Sequence, residues 1–145
     1  MKKRLLSFTL FLFSNTVLAT NYDVGIASTN ITPKSEMRPE VCMGGYGNPF
    51  EKCGIEEKSN RLTARSLAIS DKDTTVVFTS LDVPSISKSI ITSIKDEALE
   101  KTGLSPNELY ISATHTHAGT DLLGAWGGVS TEYKTFVIKR VVKRL

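Results

Sequence analysis

Both histidines of this 145-residue chain, His115 and His117, and its single tryptophan, Trp126, fall in one stretch, Tyr110-Ile-Ser-Ala-Thr-His-Thr-His-Ala-Gly-Thr-Asp-Leu-Leu-Gly-Ala-Trp-Gly-Gly128. The stretch opens on strand-forming residues and runs into glycine. Side chains two apart on a strand share a face, so the two imidazoles can converge on one point. Neutral imidazole is the commonest metal ligand. A catalytic zinc takes three protein ligands and keeps a fourth position for water, whose pKa the metal lowers toward neutrality. Two histidines alone do not complete such a set, which would need Asp82, another carboxylate, or ligands from elsewhere. The competing reading is two polar strand-end residues satisfied by backbone. A serine–histidine hydrolase built on Ser112 or Thr114 is a third, but no Gly-x-Ser-x-Gly elbow is present.

The elements that would carry this stretch are legible in pattern. Tyr22 to Pro33 reads as a strand ending in a proline turn, and Lys34 to Glu40 as a polar loop. Arg61 to Ser70 is a mixed strand and Asp71 to Thr74 a turn. Thr75 to Asp82 is a β-branched, nearly continuous apolar run of the kind expected of a strand buried on both faces. From Ser85 to Lys101, Ile86, Ile90, Ile91, Ile94 and Ala98 recur at helical spacing, with Ser85 as cap and Gly103 as stop. Glu108 to Thr114 is the next strand. Strand, helix, strand implies a crossover between parallel strands, and ligands bind beyond the carboxyl ends of such strands. Asp82 and His115 both lie at those ends. Thr131 to Leu145 has Phe136, Val137, Val141 and Val142 at near-helical spacing. The expected fold class is α/β, with a mostly parallel or mixed sheet containing a βαβ unit, as the first part of a larger catalytic domain.

Charge and composition limit the partners. The formal charge is +3, and Lys2, Lys3 and Arg4 account for it. They head an apolar stretch that closes on Val17-Leu-Ala19, the pattern of a secretory signal peptide cut after Ala19. A retained anchor is the alternative, but the run is shorter than the roughly 20 residues of a spanning helix and Asn15 interrupts it. Residues 1–19 therefore read as a leader and 20–145 as the exported part, secreted or periplasmic. Without the leader the net charge is near zero, so no basic stripe remains for nucleic acid, and no second apolar run offers a transmembrane span. In an oxidising compartment Cys42 and Cys53 can clip the glycine-rich loop between them, a closure contributing about 3 kcal/mol. Free thiols are the alternative. Gly44-Gly-Tyr-Gly47 within that loop permits close approach to a ligand but lacks the lysine of a phosphate-binding loop.

Ile111-Ser-Ala-Thr-His-Thr-His-Ala-Gly-Thr-Asp121 resembles the histidine motif of the neutral/alkaline non-lysosomal ceramidases and related lipid hydrolases. Val24-Gly-Ile-Ala-Ser-Thr-Asn-Ile-Thr-Pro33, Met43-Gly-Gly-Tyr-Gly47, Arg61-Leu-Thr-Ala-Arg-Ser-Leu-Ala68 and Thr79-Ser-Leu-Asp82 agree with the family in the same order. The resemblance implies a zinc-dependent amidohydrolase that cleaves the N-acyl bond of ceramide, a step of sphingolipid metabolism giving a fatty acid and a sphingoid base. By that similarity His115 matches a zinc ligand. His117 matches a histidine that holds or polarises the substrate amide, where a well-aimed donor is worth about 3–4 kcal/mol. Asp82 matches a strand-end acid, and Gly44, Gly45 and Tyr46 match the mouth of the site. The family's enzymes are several times longer, and their remaining zinc ligands, a second histidine, a glutamate and a tyrosine, lie further along. Thr120 stands where the family has proline, and Glu56 where relatives often carry histidine. The implied form is the N-terminal portion of such an enzyme, truncated or completed by a separate C-terminal half; a non-catalytic secreted binding or vestigial module is the alternative.

Overall fold

A computed structural model describes residues 21–48, 52–54 and 61–145; the leader reading of residues 1–19 and the Glu56 comparison lie outside the described residues. The chain forms β1 (Asp23–Asn30), a 3-10 turn over Ser35–Glu40, β2 (Thr63–Ser70), β3 (Thr75–Leu81), α1 (Lys88–Thr102), β4 (Leu109–Ala113) and α2 (Thr131–Val142). The strands make one sheet in the order β1-β2-β3-β4. The first two pairings are antiparallel and β3–β4 is parallel. The sheet is therefore mixed, with β3–α1–β4 as the expected βαβ unit.

Local chemistry accounts for the boundaries. Asp71 Oδ1 accepts the amides of Asp73 (3.0 Å) and Thr74 (2.8 Å), closing the β2–β3 hairpin with an Asx-type turn. Those amides, which prefer a charged acceptor, lower the Asp71 pKa. The cap of α1 is Ser87 rather than the expected Ser85: its hydroxyl accepts the Ile90 amide. Two extra residues before the helix are spent pairing Ile86 with Leu122 and the Ser87 amide with the Leu122 carbonyl (3.1 Å). Gly103, at φ 76°, supplies the left-handed C-cap. Lys34 to Glu40, read from sequence as a loop, includes the 3-10 turn, with Met37 turned into the core.

One face of the sheet carries the core. Val77, Leu81 and Leu109 meet Ile90, Ile94 and Ala98 of α1 and Val137 and Val141 of α2. Tyr133 is fully buried there, its hydroxyl donating to the Ile31 carbonyl (2.6 Å) and lying 3.2 Å from Thr120 Oγ1. Burial pushes its phenol pKa up.

The opposite face is bare among the described residues. The pairing register arranges it in rows across the strands: Val24, Ile69 and Val76; then Ile26, Leu67, Phe78 and Tyr110; then Ser28, Arg65, Ser80 and Ser112. Ile26 is 85% exposed and Phe78 47%. The expectation that Thr75–Asp82 is buried on both faces is thus corrected: Val77, Thr79 and Leu81 are buried, and Phe78 between them is not. Both helices of the described residues pack on the same side of the sheet. No helix among the described residues is long and apolar enough to cross a membrane.

Candidate functional site

The site is built from three segments at the carboxyl ends of β3 and β4. As β4 ends, the Thr114 amide bonds the Leu81 carbonyl (2.9 Å) and the His115 amide bonds the Val83 carbonyl (3.1 Å). The chain then turns, with His115 at φ 62°, the one non-glycine residue of positive φ among those described. A left-handed conformation costs an L-residue about 1–2 kcal/mol, and here ring and backbone contacts offset it. The turn corrects the strand-period argument for the two histidines. They do not sit on a continuing strand, yet their ring centroids are 5.2 Å apart and set edge-on at 74°.

The two imidazoles are held differently. His115 Nδ1 lies 2.7 Å from the Pro84 carbonyl oxygen. A carbonyl only accepts, so Nδ1 carries the proton and the neutral ring offers the Nε2 lone pair outward. A backbone carbonyl on one ring nitrogen is the usual support for a histidine that ligates metal through the other. His117 rests on Gly45: a Cβ there, at φ 89°, would come within 2.6 Å of the ring Cδ2. Glycine at 45 is required twice, by its backbone angle and by the imidazole above it.

The glycine-rich segment reaches the histidines by a backbone ladder. Gly44 N–H donates to the Gly119 carbonyl (3.1 Å), Asp121 N–H to the Cys42 carbonyl (2.8 Å) and Cys42 N–H to the Gly128 carbonyl (2.9 Å). Gly119 packs on β3's exit, where a Cβ would lie 2.7 Å from the Asp82 carbonyl oxygen. A disulfide joins Cys42 to Cys53 and closes the loop that carries Gly44, Gly45 and Tyr46. The Tyr46 ring centroid lies 5.9 Å from Lys52 Nζ.

Asp82 is engaged away from the imidazoles. Its carboxylate accepts the Thr63 amide (3.0 Å) and hydroxyl (2.5 Å) and the Arg65 guanidinium (3.0 Å). Partial burial acts to raise its pKa, but these three donors outweigh it and hold the carboxyl below its ordinary value. Asp82 touches the histidine loop through its backbone carbonyl instead.

Asp121 was not singled out from the sequence and has the larger structural role. Only 1% exposed, it accepts the amides of Gly124 (2.8 Å), Trp126 (2.6 Å) and Gly128 (2.9 Å). That cradle folds the glycine loop and sets the Trp126 ring beside Gly44, where a Cβ would meet Cε3 at 3.2 Å. An acid just ahead of closely spaced glycines was the available signal, since Asx side chains organise such turns.

Among the described residues no group of three histidine, cysteine or acidic side chains is placed to hold a metal. With three protein ligands needed for catalytic zinc, these residues supply one well-presented imidazole, not a complete site.

Solved structures share the fold. Over 86% of its length the chain matches the neutral ceramidase of Pseudomonas aeruginosa with a TM-score of 0.71 and 20% identity, across 21% of that protein. A structure described as ceramidase complexed with C2 matches over 88% of the chain, with a TM-score of 0.71 and 19% identity, again across 21% of its length. No family model and no curated protein matches the sequence. The chain spans about a fifth of the length of the ceramidases it matches, and over that fifth it has their mixed α/β fold.

Proposed function

We propose that residues 20–145 are the N-terminal part of a zinc-dependent amidohydrolase of the neutral ceramidase type, acting on the N-acyl amide of ceramide or a related lipid. The carrying observation is His115, held by the Pro84 carbonyl with Nε2 free, at the carboxyl end of β4 in a fold shared with ceramidases. In this reading His115 is one zinc ligand and His117, pressed against Gly45 and exposed, is the substrate-side donor. The other ligands come from polypeptide outside these residues, either a continuation or a separate C-terminal half. The disulfide between Cys42 and Cys53 supports a secreted or periplasmic location, where thiols oxidise. Asp82, bound to Thr63 and Arg65, acts only by holding the strand end from which the site is built.

The alternative reading is a non-catalytic module that keeps the first part of the fold. Two measurements separate them. Titration of the purified chain with Zn²⁺, followed by ¹⁵N NMR of the imidazoles, should shift His115 Nε2 first, and His115→Ala should abolish the effect. If Zn²⁺ leaves both rings unchanged, the ligand assignment is wrong. Release of fatty acid from ceramide, lost in His115→Ala, supports the enzyme; no release and no bound zinc leave the second reading.

A further inference from the structure

The two ends of the glycine loop close on one residue of the neighbouring segment. Asp121 N–H donates to the Cys42 carbonyl (2.8 Å), and Cys42 N–H donates to the Gly128 carbonyl (2.9 Å). The Asp121 carboxylate ties those ends together. Its Oδ2 accepts the Gly128 amide (2.9 Å) and the Trp126 amide (2.6 Å), and its Oδ1 the Gly124 amide (2.8 Å). The bridges Val41–Val129 and Met43–Thr120 flank this clasp on either side. The gripped segment runs on to Gly45, where an ideal Cβ would lie 2.4, 2.6 and 2.7 Å from Cγ, Cδ2 and Nδ1 of His117. Nearly equal distances to three ring atoms put the glycine over the face of the ring, as a floor under that imidazole. Gly44 is fixed in turn between Pro84 and Trp126, with a Cβ 2.9 Å from Pro84 Cγ and 3.2 Å from Trp126 Cε3.

We propose that Asp121 is the positioning residue of His117, acting through the loop, the Cys42 backbone and the Gly44–Gly45 floor, and that His115 is held independently of it. His115 hangs on the exit of β3, by its amide on the Val83 carbonyl and by Nδ1 on the Pro84 carbonyl. Neither bond involves the loop. The chemistry explains why a buried acid serves an exposed imidazole that it never touches. Glycine-rich backbone has many accessible conformations, so fixing one of them takes an acceptor that can hold several amides at once. A carboxylate offers about four lone-pair sites, and Asp121 gives three of its bonds to the loop. The role rests on the reading of His117 as the substrate-side donor. In that reading a displacement of about 1 Å costs roughly 100-fold in turnover, while metal bound at His115 is unaffected.

NMR of the purified chain at one fixed pH tests this without zinc or substrate. In the wild-type chain Gly45 Hα should be shifted upfield by the imidazole and show cross-relaxation to His117 Hδ2. Asp121→Asn keeps the shape of the side chain but sets an NH₂ against an amide N–H. The expected result is loss of both Gly45 signals, with His115 kept in its Nδ1–H tautomer. Ile94→Ala, a cavity in the core away from the loop, should retain both signals, which general loosening would not. Hydrogen exchange of the wild-type chain keeps the test open if Asp121→Asn does not fold. The amides of Cys42, Gly44, Gly124, Trp126 and Gly128 should share one protection factor, as a unit that opens together. In a folded Asp121→Asn chain that factor should fall roughly tenfold or more. The proposal is overturned by a Gly45–His117 contact that survives Asp121→Asn, by equal displacement of His115, or by loss of the contact in Ile94→Ala. Loop amides that exchange freely while Gly44 stays protected overturn it too. Displacement of His117 supports the proposal even where Zn²⁺ binds neither ring, and an undisplaced ring overturns it even where Zn²⁺ binds His115, so the two failures are read apart.

Discussion

The two faces of the sheet are written in the same apolar alphabet and meet different fates. On the covered face Val77 and Leu109 are closed under α1 and α2; on the bare face Phe78 and Tyr110 are exposed one residue away along the same strands. Burial is decided by whether something packs on a face, and hydrophobic residues are stabilising only where a second layer removes them from water. The covered face thus carries the stability of the described part, and the bare face carries its unmet contacts.

The sharpest way to break that contrast is a truncation under the helices. Leu81→Ala should cost about 2–5 kcal/mol in urea denaturation, because the neighbours cannot collapse into the cavity; a loss no greater than on the bare face would refute the division. Tyr133→Phe comes next. It strips the buried Ile31 carbonyl of its donor and should cost about 1–3 kcal/mol.

At the polar end of the bare face the effect should be smaller and depend on pH. Asp82 titrates below its unfolded value. Its contribution is therefore fully present above about pH 3.9, the ordinary aspartate value, and is lost as pH falls through the lower folded value. Arg65 is 60% exposed at its side chain, so solvent screening keeps the ion pair under about 1 kcal/mol. Asp82→Asn should lower the neutral part of a thermal-stability profile by a small amount and leave its most acid part, where Asp82 is already protonated, nearly unmoved, so that the acid limb flattens; an unchanged limb would mean the carboxylate is not selectively bound when folded. Smallest of all, Ile26→Ala, at an exposed position, should lie within about 0.5 kcal/mol of wild type. A larger loss would show that something already covers that face.

Much of this arrangement was legible in the residues. β-branched runs marked the strands, the Ile90–Ile94–Ala98 spacing marked α1, and Gly103 marked its end. The His-Thr-His stretch was legible as following a strand, which it does at the end of β4, and cysteines flanking a glycine-rich loop pointed to its clip. The failures share a cause. Ser85 lost the cap to Ser87 because the intervening residues bridge to Leu122, thirty-six positions on from Ile86. Asp82 drew attention by its strand-end position, but its partners, Thr63 and Arg65, reach it only through the β2–β3 register. Asp121 carries a local signal, an acid just ahead of closely spaced glycines, but which amides it accepts depends on a loop conformation that spacing does not encode.

Local propensity and periodicity act over a few residues, and so the sequence by itself determined the elements, their order and the two imidazoles at a strand exit. What only the tertiary structure decided was how those imidazoles differ: His115 turned left-handed onto the Pro84 carbonyl, His117 laid on Gly45. The tertiary structure also decided which of the two sheet faces the helices cover. Each depends on contacts between segments far apart in the chain, whose energies exist only once the layers have packed.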